Sequence, residues 1–224
     1  SGVEQRLRLV HTAETSYAES GVLHTDLERL TETNDGKLDQ VHAWRNQYRA
    51  DVVSLLTATG DNACGIGWQL TDNNYQDFAD HAFNVVVANW SCLGGYSLTH
   101  ELGHNMGANH DLMATIASQV GGFGTSGFNV TYDPANSTAG AYTYSFGYQD
   151  PEGEFRTIMA YNCPNPGCPR LPYFSTPNVR YNNQALGSAG IDNARTINNM
   201  SAVVANFRTS GTDSGTSSTA ALPA

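Results

Sequence analysis

His100, His104 and His110 are spaced so that one metal ion can be held by all three. The first two are four residues apart, which on a helix places both imidazoles on one face, about one turn from each other. Glu101 follows the first histidine; its carboxylate reaches a water in the open coordination position without being a ligand, which is the general-base place in an HExxH pattern. Gly107 comes three residues after the second histidine, and without a Cβ it can adopt positive φ, end the helix and turn the chain back. His110 then supplies the third nitrogen. Three protein ligands leave a fourth position open, which marks a catalytic zinc site and not a closed structural one.

The full string His100-Glu-Leu-Gly-His-Asn-Met-Gly-Ala-Asn-His110, with Thr157-Ile-Met-Ala-Tyr161 downstream, resembles the metzincin zinc endopeptidases. The resemblance implies one catalytic Zn2+ with Met159 beneath its histidines. Asp111, directly after the third histidine, is similar to the reprolysin (adamalysin-like) branch, where it implies a carboxylate that braces the methionine turn. Tyr161 departs from that branch and resembles astacins and serralysins, which implies a fifth ligand that swings away when substrate binds and steadies the oxyanion.

The stretch from Phe155 to Cys163, followed by Pro169-Arg-Leu-Pro-Tyr-Phe-Ser175, looks closest to secreted bacterial peptidyl-Asp metalloendopeptidases. That likeness implies cleavage on the amino side of Asp and a cation in the S1′ pocket. Lys37 is the only lysine, so the cation is an arginine. In metzincins the segment after the methionine turn walls S1′, which ranks Arg170 first and Arg156, Arg180 and Arg195 behind it. A guanidinium grips a carboxylate through two parallel hydrogen bonds. Two alternatives stand beside this reading: a hydrophobic or broad S1′ preference, and a non-catalytic binding module that keeps zinc for shape. Retention of Glu101 favours the enzyme.

Composition agrees with an extracellular peptidase. The 224 residues carry a formal net charge of −10 and no cluster of Lys and Arg, which argues against nucleic acid as a partner. No apolar run is long enough to span a bilayer. We expect a secreted, processed monomer that acts on proteins or peptides. No EF-hand-like acidic loop supports a calcium site. His11, His24, His42 and His81 lie outside any ligand spacing and read as surface or hydrogen-bonded residues.

The four cysteines allow three connectivities. Cys163 and Cys168 bracket Pro-Asn-Pro-Gly just after the methionine turn, where a short loop would stiffen the specificity wall, and Cys64 and Cys92 would then pair. Disulfides imply an oxidising compartment.

These residues need a scaffold, and the resemblance implies an α+β, zincin-like metzincin fold. It has a twisted mixed sheet with helices in the upper lobe, an active-site helix, and an irregular lower lobe closed by a C-terminal helix. One catalytic domain over 1–208 is expected, with its upper lobe about 1–107 and its lower lobe about 108–208, and a tail over 209–224. The leading strand and helix usual in the family are expected to be missing from this order. Alternation predicts a strand from Arg6 to Thr12, and helical spacing predicts helices over Val22 to Leu30 and Leu38 to Arg49. Further strands are expected at Asp51 to Thr57, Ile66 to Leu70 and Phe83 to Asn89. The active-site helix should run from near Tyr96 to near Gly107 after a loop at Ser91 to Gly95. Residues 121–153 read as loops, and Asp192 as the cap of a closing helix with Ala194, Ile197, Val204 and Phe207 on its apolar face.

Overall fold

The structure is a computed structural model that describes residues 2–72, 74–119, 140–164 and 166–208. The expected tail, and residues 121–139 of the expected loops, lie outside the described residues.

Two helices and a small sheet enclose the first core. Helix α1 (Leu23–Thr31) buries Leu23, Leu27 and Leu30, the three apolar positions that share one helical face. Helix α2 (Asp39–Tyr48) adds Val41 and, from just before it, Leu38. Its last turn is fastened to the sheet by Arg45, whose buried guanidinium donates to the carbonyls of Ala50 and Asp51 and lies over the Phe83 ring. The sheet has the order β1-β3-β2, with β1 (Val53–Thr57) parallel and β2 (Gly65–Gly67) antiparallel to the central β3 (Phe83–Val87). β3 is buried at all five residues, four of them apolar and the fifth Asn84, as expected of a strand covered on both faces.

The expected strand at Arg6 to Thr12 does not form: residues 2–20 carry no helix or strand. Its alternation points Leu7 and Leu9 into solvent, and no strand among the described residues pairs with it. A period of two predicts a strand only where an edge is available to satisfy the backbone. The segment is held by side chains instead. Tyr17 donates its hydroxyl to Asp26, which is buried in α1, and Glu19 accepts from the backbone of Ala58 and Thr59.

The expected loop at Ser91 to Gly95 is instead a short helix, α3 (Trp90–Gly94), whose first turn is capped by Asn89 accepting from Cys92 N. Helix α4 (Ser97–Asn105) follows and is fixed to the sheet by its last residue. Asn105 is fully buried; its amide donates to the carbonyls of Trp68 and Phe83, and its oxygen accepts from Asn84. A second core lies below α4, built from Leu70, Phe78, Met159, Phe174 and the inner face of α6 (Asn193–Val204). Asp192 caps α6 as expected, accepting from Arg195 N at 3.0 Å, and Ala194, Ile197, Met200 and Val204 are buried.

Between α4 and α6 the chain is mostly irregular. β4 (Asn109–Asp111) leads into α5 (Leu112–Gln119) and pairs in parallel with β5 (Phe146–Gly147). A hairpin of β6 (Thr176–Tyr181) and β7 (Gln184–Leu186) covers a third small core at Phe155, Leu171 and Leu186. The two disulfides are Cys64–Cys92 and Cys163–Cys168.

Asn105→Ala takes the side-chain partner from the Trp68 carbonyl and the buried Asn84 amide, and one of two donors from the Phe83 carbonyl, which keeps Trp68 N–H. We expect a loss of about 2–4 kcal/mol in unfolding free energy, measured by urea titration followed by circular dichroism. A change below the error of the measurement would remove Asn105 as the anchor of α4.

Candidate metal centre

Helix α4 presents His100 and His104 on one buried face, as their spacing requires. Its end is set by Gly107, whose φ of +86° and the bond from Ala108 N to Gly103 O at 2.9 Å form a Schellman turn. A Cβ at Gly107 would fall 2.6 Å from that of Ala141, so neither the conformation nor the space suits a larger residue. The turn delivers β4 back against α4. There Asn109 is tied to Ser145 O and to Asn193, and His110 faces the other two histidines.

The Nε2 atom of His110 lies 3.0 Å from that of His104 and 3.2 Å from that of His100. The remaining nitrogens of the helical pair are occupied: His100 Nδ1 donates to Ile158 O at 2.9 Å, and His104 Nδ1 to Gln69 Oε1 at 2.6 Å and Ala108 O at 3.1 Å. Their Nε2 atoms therefore carry lone pairs, directed at one point. Converging lone pairs repel unless a cation sits among them. Tetrahedral zinc with nitrogens at 2.0–2.1 Å would space its ligands by about 3.3 Å, which these separations fit. Burial pushes the pKa of His104 down to about 4 and that of His100 well below its ordinary value, so the neutral, metal-binding form is favoured.

Glu101 stands beside this cluster in a cleft of about 460 Å³, with its carboxylate against β2. A Cβ at Gly65 would lie 2.8 Å from Glu101 Oε1, and one at Gly67 3.4 Å from Oε2. Gly65 thus makes room for the carboxylate, while Gly67 makes room for Asn84 Cβ and the Glu101 backbone oxygen, each 3.2 Å from a Cβ placed there. Burial raises its pKa to about 8, against the opposing pull of Arg170.

Met159 is fully buried below α4; a Cβ at Gly103 would fall 2.6 Å from its sulfur. The methionine turn is held from several sides. Gly147 of β5 packs so close that a Cβ would meet Ala160 N at 2.8 Å, and Asp111 Oδ2 accepts from Tyr161 N at 2.9 Å. Asp111 Oδ1 also accepts from Ala114 N, so one carboxylate joins β4, the start of α5 and the end of the turn. Tyr161 is 43% exposed, lines the cleft and leans on the His110 ring at 4.3 Å between centroids.

The arginines separate by position. Arg170 lines the cleft, donates from Nη1 to Gly95 O at 2.8 Å and leaves Nε without a partner among the described residues. Burial lowers its pKa to about 10, still well above neutrality. Arg156 does not line the cleft; it donates to Cys168 O and Ala160 O, and its backbone pairs with that of Pro169 and Leu171 on either side of Arg170. Arg180 donates to Asn183 O at an exposed turn, and Arg195 covers the Tyr144 ring. The other histidines are spread apart. His11 stacks on Tyr48, His24 faces Glu28, His42 bonds to Glu32 O and His81 meets the edge of Trp68.

Gln69 and the pair Gly65 and Gly67 were not singled out by sequence. Isolated glycines in a strand do mark a close backbone or side-chain approach, so the pair left a signal. Gln69 left none, because its partner is 35 residues away.

Two histidines on a helix, a third after a glycine turn, and a methionine turn beneath them define the metzincin class of zinc peptidases. Residues 3–175 match the Metallo-peptidase family M12, and the chain belongs to that family. It is 38% identical over 210 residues to a peptidyl-Asp metalloendopeptidase of Xanthomonas campestris pv. campestris, covering 93% of this chain and 43% of the relative. It is 30% identical over 203 residues to one from Pseudomonas fragi, covering 90% and 92% of the two. A snake venom metalloproteinase, trimerelysin-2 of Protobothrops flavoviridis, is 31% identical over 100 residues, covering 38% of this chain and 45% of that protein. The chain spans less than half the length of the Xanthomonas and Stenotrophomonas relatives. No solved structure matches.

Gln69→Ala removes one of the two acceptors that orient His104. Outer partners of metal ligands are typically worth 10–100-fold in affinity, and with Ala108 O remaining we expect about tenfold weaker zinc binding. Competition with a colorimetric chelator reads this directly, and an unchanged affinity would show that Ala108 alone sets the ring.

Proposed function

We propose that the chain is a zinc-dependent endopeptidase that cuts internal peptide bonds on the amino side of Asp, as a secreted monomer. The observation that carries the reading is the opening of three converging imidazole nitrogens and the Glu101 carboxylate into one cleft. Two disulfides suit an oxidising, extracellular setting, and no helix among the described residues is long and apolar enough to cross a membrane.

His100, His104 and His110 would hold the ion, leaving a position open toward the cleft. Zinc bound there lowers the pKa of a water toward neutrality and polarises a carbonyl. Glu101 takes the proton released in the attack and passes it to the leaving amine, acting first as base and then as acid. The Tyr161 hydroxyl, on the open side of His110, donates to the oxyanion as charge develops. Asp111 and Met159 keep their supporting roles, bracing the turn and filling the space beneath α4, and Gly107 keeps the third histidine in reach.

Substrate orientation follows from the sheet. β2 is the terminal strand of its sheet and its residues line the cleft, so an extended peptide can pair with its outer edge. Antiparallel pairing places residues beyond the cut beside the Ala63 to Gly65 end of β2. Arg170 lies at that end, linked through Gly95 to the segment that Cys92 joins to Cys64. Among the described cleft-lining residues it is the one Arg or Lys, and it is suited to a P1′ carboxylate. Arg156 contributes by holding the Arg170 segment in place. The peptidyl-Asp names of the relatives agree with this reading.

Glu101→Gln should retain stoichiometric zinc, measured by atomic absorption, while kcat falls by at least ~10³-fold. Cleavage at the wild-type rate would rule out Glu101 as the base. Arg170→Gln should abolish the preference for Asp over Asn by about 10²-fold in kcat/KM while cleavage at other sites persists. Mass spectrometry of the new amino termini measures it, and undiminished Asp selectivity in the variant would assign the pocket to another residue.

A further inference from the structure

Three large apolar side chains are exposed along one short stretch of chain beside the cleft. From Ala82 through Thr99 there is no Asp, Glu, Lys or Arg. Within it Trp90 is 94% exposed, Leu93 42% and Tyr96 36%. Single exposed apolar residues need no explanation, but these three are grouped. Trp90 and Leu93 are three apart on α3 and share a face, and Tyr96 follows, with its N–H bonded to Leu93 O. The other side of α3 carries Cys92, buried and bonded to Cys64.

The row starts at the rim of the cleft. Tyr96 lies between Gly95, whose carbonyl holds Arg170, and Ser97, which lines the cleft. Cys64 lines it as well, so the disulfide fixes α3 to the wall formed by β2. Antiparallel pairing with β2 directs the substrate toward this end after the cut. We propose that Trp90, Leu93 and Tyr96 form an apolar exosite for the substrate chain on the carboxyl side of the cleaved bond, gripping the second to fourth residues beyond it. This rests on the endopeptidase reading above. A ridge with no charge of its own, on a chain of net charge −10, selects apolar side chains and complements the polar grip of Arg170. Because α3 is fixed by a covalent bond, the ridge is in place before substrate arrives, and little ordering opposes binding.

The test uses internally quenched peptides with a single Asp, identical except for Trp or Ser at the second, third or fourth position after the cut. On the zinc-loaded protein, Trp should raise kcat/KM about tenfold at one or more of these positions, chiefly through KM. In the double variant Trp90→Ser/Leu93→Ser, whose side chains are exposed and outside all three cores, the ratio between the two peptides should fall to near one. The same peptides, labelled with fluorescein, are titrated onto Glu101→Gln by anisotropy, so that preference is read without turnover. Equal kinetics and equal anisotropy midpoints for the Trp and Ser peptides overturn the exosite while cleavage before Asp stands. Retained apolar preference in anisotropy, with no peptide cut by the wild type, supports the exosite and overturns the endopeptidase reading. A dimer in sedimentation that the double variant abolishes, with equal peptide kinetics, assigns the ridge to a second copy of the chain and overturns the proposal.

Discussion

Three imidazole nitrogens converge on one point, and the structure around α4 is arranged to hold them there. Each of the two helical histidines is oriented through its other nitrogen. Ile158 and Ala108 supply backbone carbonyls and Gln69 an amide oxygen. These acceptors come from segments far apart in sequence, so the site requires both the sheet above α4 and the methionine turn below it. Asn105 ties the helix to β3, and Met159 supports it from the other side. Glu101 follows the same logic: its carboxylate is placed by the absence of a side chain at Gly65 as much as by its position on the helix.

Much of this was legible in the residues. The ligand string works locally: helix period, glycine turn and third histidine are all encoded within eleven residues. The apolar faces of α1, α2 and α6 are likewise local, and Asp192 marks its cap. What failed depended on distant partners. The alternation of Arg6 to Thr12 was a sound local pattern with no edge to join. The edge strand expected at Ile66 to Leu70 is shorter and shifted, as β2 over Gly65–Gly67, because Trp68 and Gln69 are drawn toward Asn105 and His104. Some misses were readable. Asn89 is a good cap for the helix overlooked at Trp90, and Asn182-Asn183, both at positive φ, form the tight turn of the β6 and β7 hairpin.

Specificity and reaction are built on different parts of the molecule. The groups that would perform hydrolysis sit on α4 and β4, whose positions are set by core packing and buried hydrogen bonds. The groups that would choose the substrate sit on the segment around Arg170 and on α3. Each of these has a disulfide next to it, Cys163–Cys168 and Cys64–Cys92. Short segments with little core of their own gain their definition from cross-links, and those cross-links can stay fixed while the residues between them change.

His100 and His104 stand on α4, which Asn105 ties to the upper sheet, whereas His110 belongs to β4, which is fastened to Ser145 and Asn193 in the lower part of the molecule. A metal ion bound by all three is therefore a rivet between two halves. Any opening of the cleft wide enough to separate β4 from α4 must stretch the coordination sphere, so metal affinity and the mechanical stiffness of the cleft are one thermodynamic quantity seen from two sides.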